Sequence, residues 1–347
     1  MESTSGTDDQ DEKWALRFVQ PTDDLRISGK LGPEKNFGEG FCITNDPNKI
    51  VSLLDAEIKE AMGGHFIAAT RASGAVIYFE GEIKKSTWQS NNFNVDVFVH
   101  RCMGFLLSLW LVRDHAVNLL PAFCRLSRRG QQSEFRILTF GQRNFSAMGG
   151  SEPVEFSHEE IHNACEFHQD WIHKILAGIN TNAALVSQAS NLVYTNFEPS
   201  SSRLLRFLSL LDRGRAVPDQ GIKLALFCSG MECLFSQENE KNEIVHRVAE
   251  KTAFLLEQDF SKRKTTYKLV KQAYDLRSAV LHGSAISNSK LPNLPSVCSE
   301  MDSILRNVFK KIILNPDLFL LFTQDEKRLQ DFFVELLFSG TAKEIMR

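Results

Sequence analysis

The hydrophobic period of this chain changes once, near Ser157, and that change limits the folds open to it. Before it, short runs rich in β-branched and aromatic residues read as strands: Trp14–Val19, Phe41–Thr44, His65–Thr70, Ala75–Ile83 and Glu134–Phe140. After it, only helical spacing recurs. Helices are expected at Ser202–Arg213, Asp219–Phe235, Asn242–Glu257, Thr265–Leu281, Ser296–Leu314 and Asp325–Phe338, with Gly214, Pro218, Ser261, Asn288 to Pro295 and Pro316 as punctuation. At 347 residues two cores are expected rather than one. The pattern therefore predicts an α+β protein. A mixed α/β domain over residues 13–150 precedes an all-α domain over 157–347, and residues 141–156 connect them.

Two helices are expected within the first domain. Asp46-Pro47 opens one, with Asp as N-cap and Pro at the first helical position, and Gly63-Gly64 closes it. The other, about Val95 to Val117, is apolar on nearly every side and reads as the central helix of that domain. Neither Gly38-Glu39-Gly40 nor Gly63-Gly64 has the spacing of a phosphate-binding loop. Ser157 and Glu160 form a capping box opening a helix to about Ala177.

Residues 1–12 are polar and acidic, so they read as a disordered tail rather than a leader. The longest apolar run, Cys102 to Val112, is too short to span a bilayer, so no membrane partner is expected. Seven scattered cysteines without a C-x-x-C pair point to reduced thiols and a cytoplasmic setting. A net charge of -3 gives no global attraction for nucleic acid, so any such site must be a local patch.

The residue that resists this description is Arg277. Leu269, Val270, Ala273, Val280 and Leu281 mark one apolar face of the helix ending at Gly283, and Arg277 falls in the middle of it. A guanidinium there needs a partner. Glu232, inside the apolar helix Asp219–Phe235, needs a cation, and Arg277, Arg247 and Arg206 are candidates. Two readings stay open. Glu232 and Arg277 form an ion pair that fixes the helices, or Glu232 orients Arg277 for chemistry. Five residues after Arg277 comes His282, the only R-x4-H match in the chain, at a helix end. Metal-free RNA cleavage needs a base for the 2′-hydroxyl and a cation for the charge developing on phosphate, and a His and an Arg supply these.

Other polar groups are weighed the same way. His158, His162 and Cys165 share a helix face as metal ligands could, with His168 and His173 further along, but no flanking acid or second ligand pair completes a known pattern, and a solvated polar face is the preferred reading. Lys262, Arg263, Lys264, Lys268 and Lys271 lie on or just before the Arg277 helix and could track a phosphate backbone, or form an ordinary solvated face. Arg203, Arg206, Arg213 and Arg215 form a second group. Arg125, Arg128 and Arg129 form a third, in a loop of the first domain. No cofactor fingerprint is present.

From Ser202 to Gly283 the segments RLLRFLSLL (203–211), IKLALFCSGMECLF (222–235), EIVHRVAEKTAFLL (243–256) and YDLRSAVLHG (274–283) together resemble the Apea-like branch of HEPN domains. The last carries a Y-x-x-R-S-x-x-x-H-G pattern. The resemblance implies an all-α HEPN bundle with its core at about 202–314. It implies a homodimer whose shared cleft joins Arg277 and His282 of both copies, supported by Glu232, Tyr274 and Ser278. It further implies a metal-independent endoribonuclease acting on RNA, of the toxin or antiviral-defence kind, with an activator or antitoxin as a further partner. Ser278 departs from members outside this branch, which often carry Asn, Asp or His there. Some HEPN domains instead bind RNA, a nucleotide or a protein without cleaving. The resemblance does not reach residues 13–150.

Overall fold

The computed structural model describes residues 13–32, 34–89, 96–138, 143–172, 202–236, 243–281, 293–324 and 326–339. The protein is of mixed α/β type, with a mainly antiparallel sheet region followed by a helical one. It divides into two compact units. The first takes the described parts of Met1–Val112, Ala116–Arg143 and Ser151–Ser190. The second takes Arg113–His115, Asn144–Gly150 and the described parts of Asn191–Arg347. Two short early pieces of chain thus belong with the helices rather than with the sheet. The acidic tail expected at residues 1–12 lies outside the described residues.

The first unit is built on β1 (Lys13–Asp23), β2 (Leu25–Ile27), β3 (Lys35–Gly38), β4 (Phe41–Thr44), β5 (Val76–Lys84), β6 (Asn118–Leu119), β7 (Ala122–Ser127), β8 (Glu134–Leu138) and β9 (Val154–Phe156). Strands β3-β4-β5-β1-β7-β8 form one sheet in that order, all pairs antiparallel, with β6 added to β1. β2 and β9 form a separate parallel pair. The burial of β1 shows how the sheet is covered. Trp14 and Leu16 are buried while Lys13 and Ala15 are exposed, the alternation of a one-sided strand. From Phe18 to Thr22 every residue is buried, because a second layer covers the other face there.

That second layer is α1 (Pro47–Leu53) and α2 (Ala56–Ala72), whose Ile50, Leu53, Ile58 and Ile67 pack on Val19, Val76, Tyr78 and Phe123. Asp46 caps α1, accepting from the Asn48 amide at 3.0 Å. The chain then breaks at Leu54, and Asp55 caps α2. Gly63 does not end the helix but kinks it, at φ 73°. The strand expected at His65–Thr70 is the second half of α2. Its β-favouring residues lie on a helix face that buries only Ile67 and Thr70, so tertiary packing overrides propensity.

On the opposite face lies α4 (Asp96–Val112), preceded by the short α3 (Lys85–Gln89). Val99, Cys102, Phe105, Leu109 and Trp110 are fully buried, consistent with an all-round apolar helix. Phe105 stacks on Phe37 at 4.5 Å between ring centroids, and His168 stands edge-on to Phe37 with Nδ1 2.7 Å from its carbonyl oxygen. His168 opens a π turn (His168–Ile172) that follows α5 (His158–Phe167). The capping box that starts α5 is complete: Glu160 donates its amide to Ser157 Oγ at 3.1 Å and its carboxylate accepts from the Ser157 amide at 2.7 Å.

β7 was not foreseen as a strand. Ala122–Ser127 follows Pro121 directly and carries Arg125 at its centre, so it reads as a loop. In the structure it lies between β1 and β8, and Arg125 pairs with Asp55 at 2.6 Å and Glu57 at 3.3 Å.

Apart from its two short early pieces, the second unit is built from helices among its described residues: α6 (Arg203–Arg215), α7 (Gln220–Phe235), α8 (Ile244–Leu256), α9 (Phe260–Leu281), α10 (Leu294–Ile313), α11 (Pro316–Gln324) and α12 (Glu326–Ser339). α7 is packed by α6, α8, α9 and α10, which is why its sequence is apolar nearly all round. α9 begins five residues before the expected Thr265, since the Asp259 carboxylate accepts from the Lys262 amide at 2.9 Å and starts the helix there. Pro316 does not merely punctuate the chain. It is the first residue of α11, with Asn315 Oδ1 accepting from the Leu318 amide at 2.9 Å. Residues 283–292 of the expected loop lie outside the described residues, and Leu294 and Pro295 already belong to α10.

Candidate functional site

Arg277 and Glu232 meet, as both open readings require. Arg277 Nη1 lies 3.3 Å from Glu232 Oε1, joining α9 to α7. The side chains are 28% and 26% exposed, so the pair is neither sealed in the core nor fully solvated. Of the described atoms, Arg277 Nε is buried with no hydrogen-bond partner. The guanidinium carbon stands 5.6 Å from the Tyr274 ring centroid. Tyr274 is buried, and its hydroxyl donates to the Cys228 carbonyl oxygen at 3.1 Å. Burial, then the neighbouring Cys228 and Glu232, push the Tyr274 phenol well above its ordinary value, so it remains protonated and can only support, not act as a base.

The same two helices also carry apolar residues that are not fully buried. Ile222 on α7 and Leu281 on α9 are 50% and 57% exposed, and Leu226 and Val280 are half-buried. Ser278 is exposed on α9. His282 lies outside the described residues, one position past the last residue of α9.

Lys264, Lys268 and Lys271 of α9 do not share the Arg277 face. Lys262, Lys264, Lys268 and Lys271 are exposed. Lys264, Lys268 and Lys271 follow one another at helical spacing, but Arg277 is six residues past Lys271, about 120° further around the helix. Arg263 turns back instead: its Nε donates to the Glu257 carbonyl oxygen at 2.7 Å, and its guanidinium covers the Phe254 ring at 4.4 Å.

The other polar groups settle into structural positions. Arg203 closes the end of α7, donating to the carbonyl oxygens of Cys233 at 3.1 Å and Ser236. His162 faces solvent and pairs with Glu166 at 3.3 Å, while Cys165 is buried in the first unit's core with its thiol pushed up to about 12 by burial. The face shared by His158, His162 and Cys165 therefore does not converge on one point. His173 lies outside the described residues.

Sequence reasoning missed one charged cluster in the second unit. Lys223 on α7 is fully buried, with Nζ 3.4 Å from the Phe145 carbonyl oxygen. Arg215, at the end of α6, is also buried and donates to the His115 carbonyl oxygen at 3.2 Å. Asp302 and Arg306 on α10 form an ion pair beside them. Burial, then the Arg215 charge, lowers the Lys223 ammonium to about 8. The available signal was a lysine inside an otherwise apolar helix, four residues into α7.

Compared with known proteins, the chain matches no family model, no curated protein and no solved structure. Among the described residues, no helix is long and apolar enough to cross a membrane.

Proposed function

We propose that the second unit is a HEPN-type, metal-independent endoribonuclease. Arg277 binds the scissile phosphate and stabilises the charge developing on it. His282 exchanges the proton of the attacking 2′-hydroxyl. The observation that carries the reading is the position of Arg277. It is held from one side by Glu232 yet more than a quarter exposed, so a phosphate can approach the guanidinium without unfolding a helix. A guanidinium fork holds a carboxylate and a phosphate by the same geometry, so Glu232 presents Arg277 in the orientation that phosphate requires. The exposed apolar residues Ile222 on α7 and Leu281 on α9 fit a second copy of the chain, and pairing through α9 would bring two Arg277–His282 sets together.

A second reading rests on the same ion pair. With Glu232 already at 3.3 Å, Arg277 serves as a fixed strut and the unit binds RNA or a partner without cleaving. The two readings separate in one experiment. Labelled RNA is incubated in EDTA with the purified protein, Arg277→Ala, His282→Ala and Glu232→Gln. Catalysis predicts cleavage leaving a cyclic phosphate and a 5′-hydroxyl, lost by about 100-fold or more in the Arg277 and His282 variants. Cleavage abolished by EDTA, or persisting in both variants, overturns it. A wild type inactive with tRNA, mRNA and rRNA, whose Arg277 and Glu232 variants lose only stability, supports the strut.

A further inference from the structure

A cavity of about 420 Å³ lies in the second unit between the start of α8 and the middle of α12, away from Arg277. Its size falls in the usual range of small-ligand sites, roughly 300–1,000 Å³. The two walls differ in chemistry. α8 contributes His246, Arg247 and Lys251, and α12 contributes Phe333, Val334 and Leu337.

We infer that this groove binds a small phosphomonoester whose esterified body is apolar or aromatic. The phosphate end is the α8 wall. Lys251 is only 4% exposed, so its ammonium is a cation held inside the protein, donating to the Phe235 carbonyl oxygen at 2.9 Å. Arg247 lies one turn earlier on the same wall and is exposed. The His246 ring is fixed from behind, with Nδ1 2.6 Å from the Tyr267 hydroxyl. In the tautomer where the phenol donates to Nδ1, the ring hydrogen is on Nε2, which is then a donor for an anion. The first turn of α8 adds to the same end. Glu243 enters it at φ 63°, and its own side chain does not cap the first-turn amides.

The remaining groups set the limit of charge. Glu243, Glu250 and Asp331 also line the groove and offset its cations. Three carboxylates against Arg247 and Lys251 disfavour added negative charge, so a polyphosphate or a nucleic-acid backbone is repelled, and a single phosphoryl group must be held by direct contact with Arg247, Lys251 and His246. The other wall specifies the body of the ligand. Val334 is 55% exposed beside the buried Phe333, an apolar surface that a ring can cover.

This site does not rest on the ribonuclease reading. Tyr267, which fixes His246, and Arg277 both lie on α9, ten residues or about 15 Å apart along the axis.

The test is titration calorimetry on the full chain with 1-naphthyl phosphate, adenosine 5′-monophosphate, 1-naphthol, inorganic phosphate and ATP. Saturable binding of at least one of the two monoesters is expected. It should be about tenfold or more tighter than that of naphthol, inorganic phosphate or ATP. His246→Ala and Arg247→Ala, both at exposed positions, should weaken it by about tenfold while the helical circular dichroism spectrum is retained. Val334→Glu should do the same from the opposite wall. The naphthyl and adenosine arms distinguish an aryl from a nucleoside body. The inference is overturned if neither monoester binds by about 5 mM, if ATP, naphthol or inorganic phosphate binds as tightly, or if the variants bind unchanged.

Discussion

Replacing Lys223 by Met should change the shape of the protein's stability profile against pH, not only its height. Lys223 is fully buried, and desolvation lowers its ammonium from an ordinary 10.5 to about 8 in the folded protein. The groups facing it are Arg215 from α6, Asp114 and the Phe145 carbonyl from the two early pieces of chain, and Asp302 and Cys298 from α10. Below pH 8 both folded and unfolded chains carry the proton, and the full penalty for burying the charge is present. Between 8 and 10.5 the unfolded chain binds more protons than the folded one, so stability rises with pH, by about 1.4 kcal/mol per unit. Above 10.5 both states are neutral and the penalty is gone. The 2.5-unit window of the shift corresponds to a rise of about 3 kcal/mol. Cys298, pushed up to about 12, stays a neutral thiol across the window. Lys223→Met has no proton to lose there, and its lost contact with the Phe145 carbonyl is a constant offset. Urea denaturation of both proteins from pH 7 to 11 measures the difference directly. Parallel curves would show that Lys223 titrates normally and would refute the argument from burial.

Two substitutions test packing and capping. Gly149→Ala should destabilise the second unit by more than about 1 kcal/mol, because Gly149 sits at φ 81° and an added Cβ would lie 2.3 Å from the Pro218 carbonyl oxygen; an unchanged denaturation midpoint would contradict this. Ser157→Ala removes one half of the α5 capping box and should cost about 1 kcal/mol, against no change for the nearby exposed Glu155→Ala.

Much of the fold is legible from local chemistry. Asp46-Pro47 and Ser157 through Glu160 start helices because their side chains satisfy first-turn amides, an interaction complete within four residues. The all-round apolar helices α4 and α7 are buried as their composition requires. What could not be read depends on distant partners. Arg125 disguises β7 as a loop until Asp55 and Glu57 neutralise it from 70 and 68 residues away. Gly63 looks like a stop, yet the helix continues past it at a kink. In the candidate site, Glu232 was found because a carboxylate in an apolar helix demands a cation. The His246–Tyr267 bond has no such signature, since each residue is ordinary on its own helix.

The two early pieces that join the second unit also impose an order of events during synthesis. His115 and Phe145 leave the ribosome about 100 and 78 residues before Arg215 and Lys223, the buried cations they contact. The sheet can close on itself as soon as β8 and β9 exist, but these pieces must wait for α6 and α7 to be made. A C-terminal fragment cut anywhere after Gly150 would lack them altogether, and its Arg215 guanidinium and Lys223 ammonium would be buried without those carbonyls. The ends of the two units in space are therefore not places where the gene can be divided, and the N-terminal half of the chain is part of the helical unit's folding reaction.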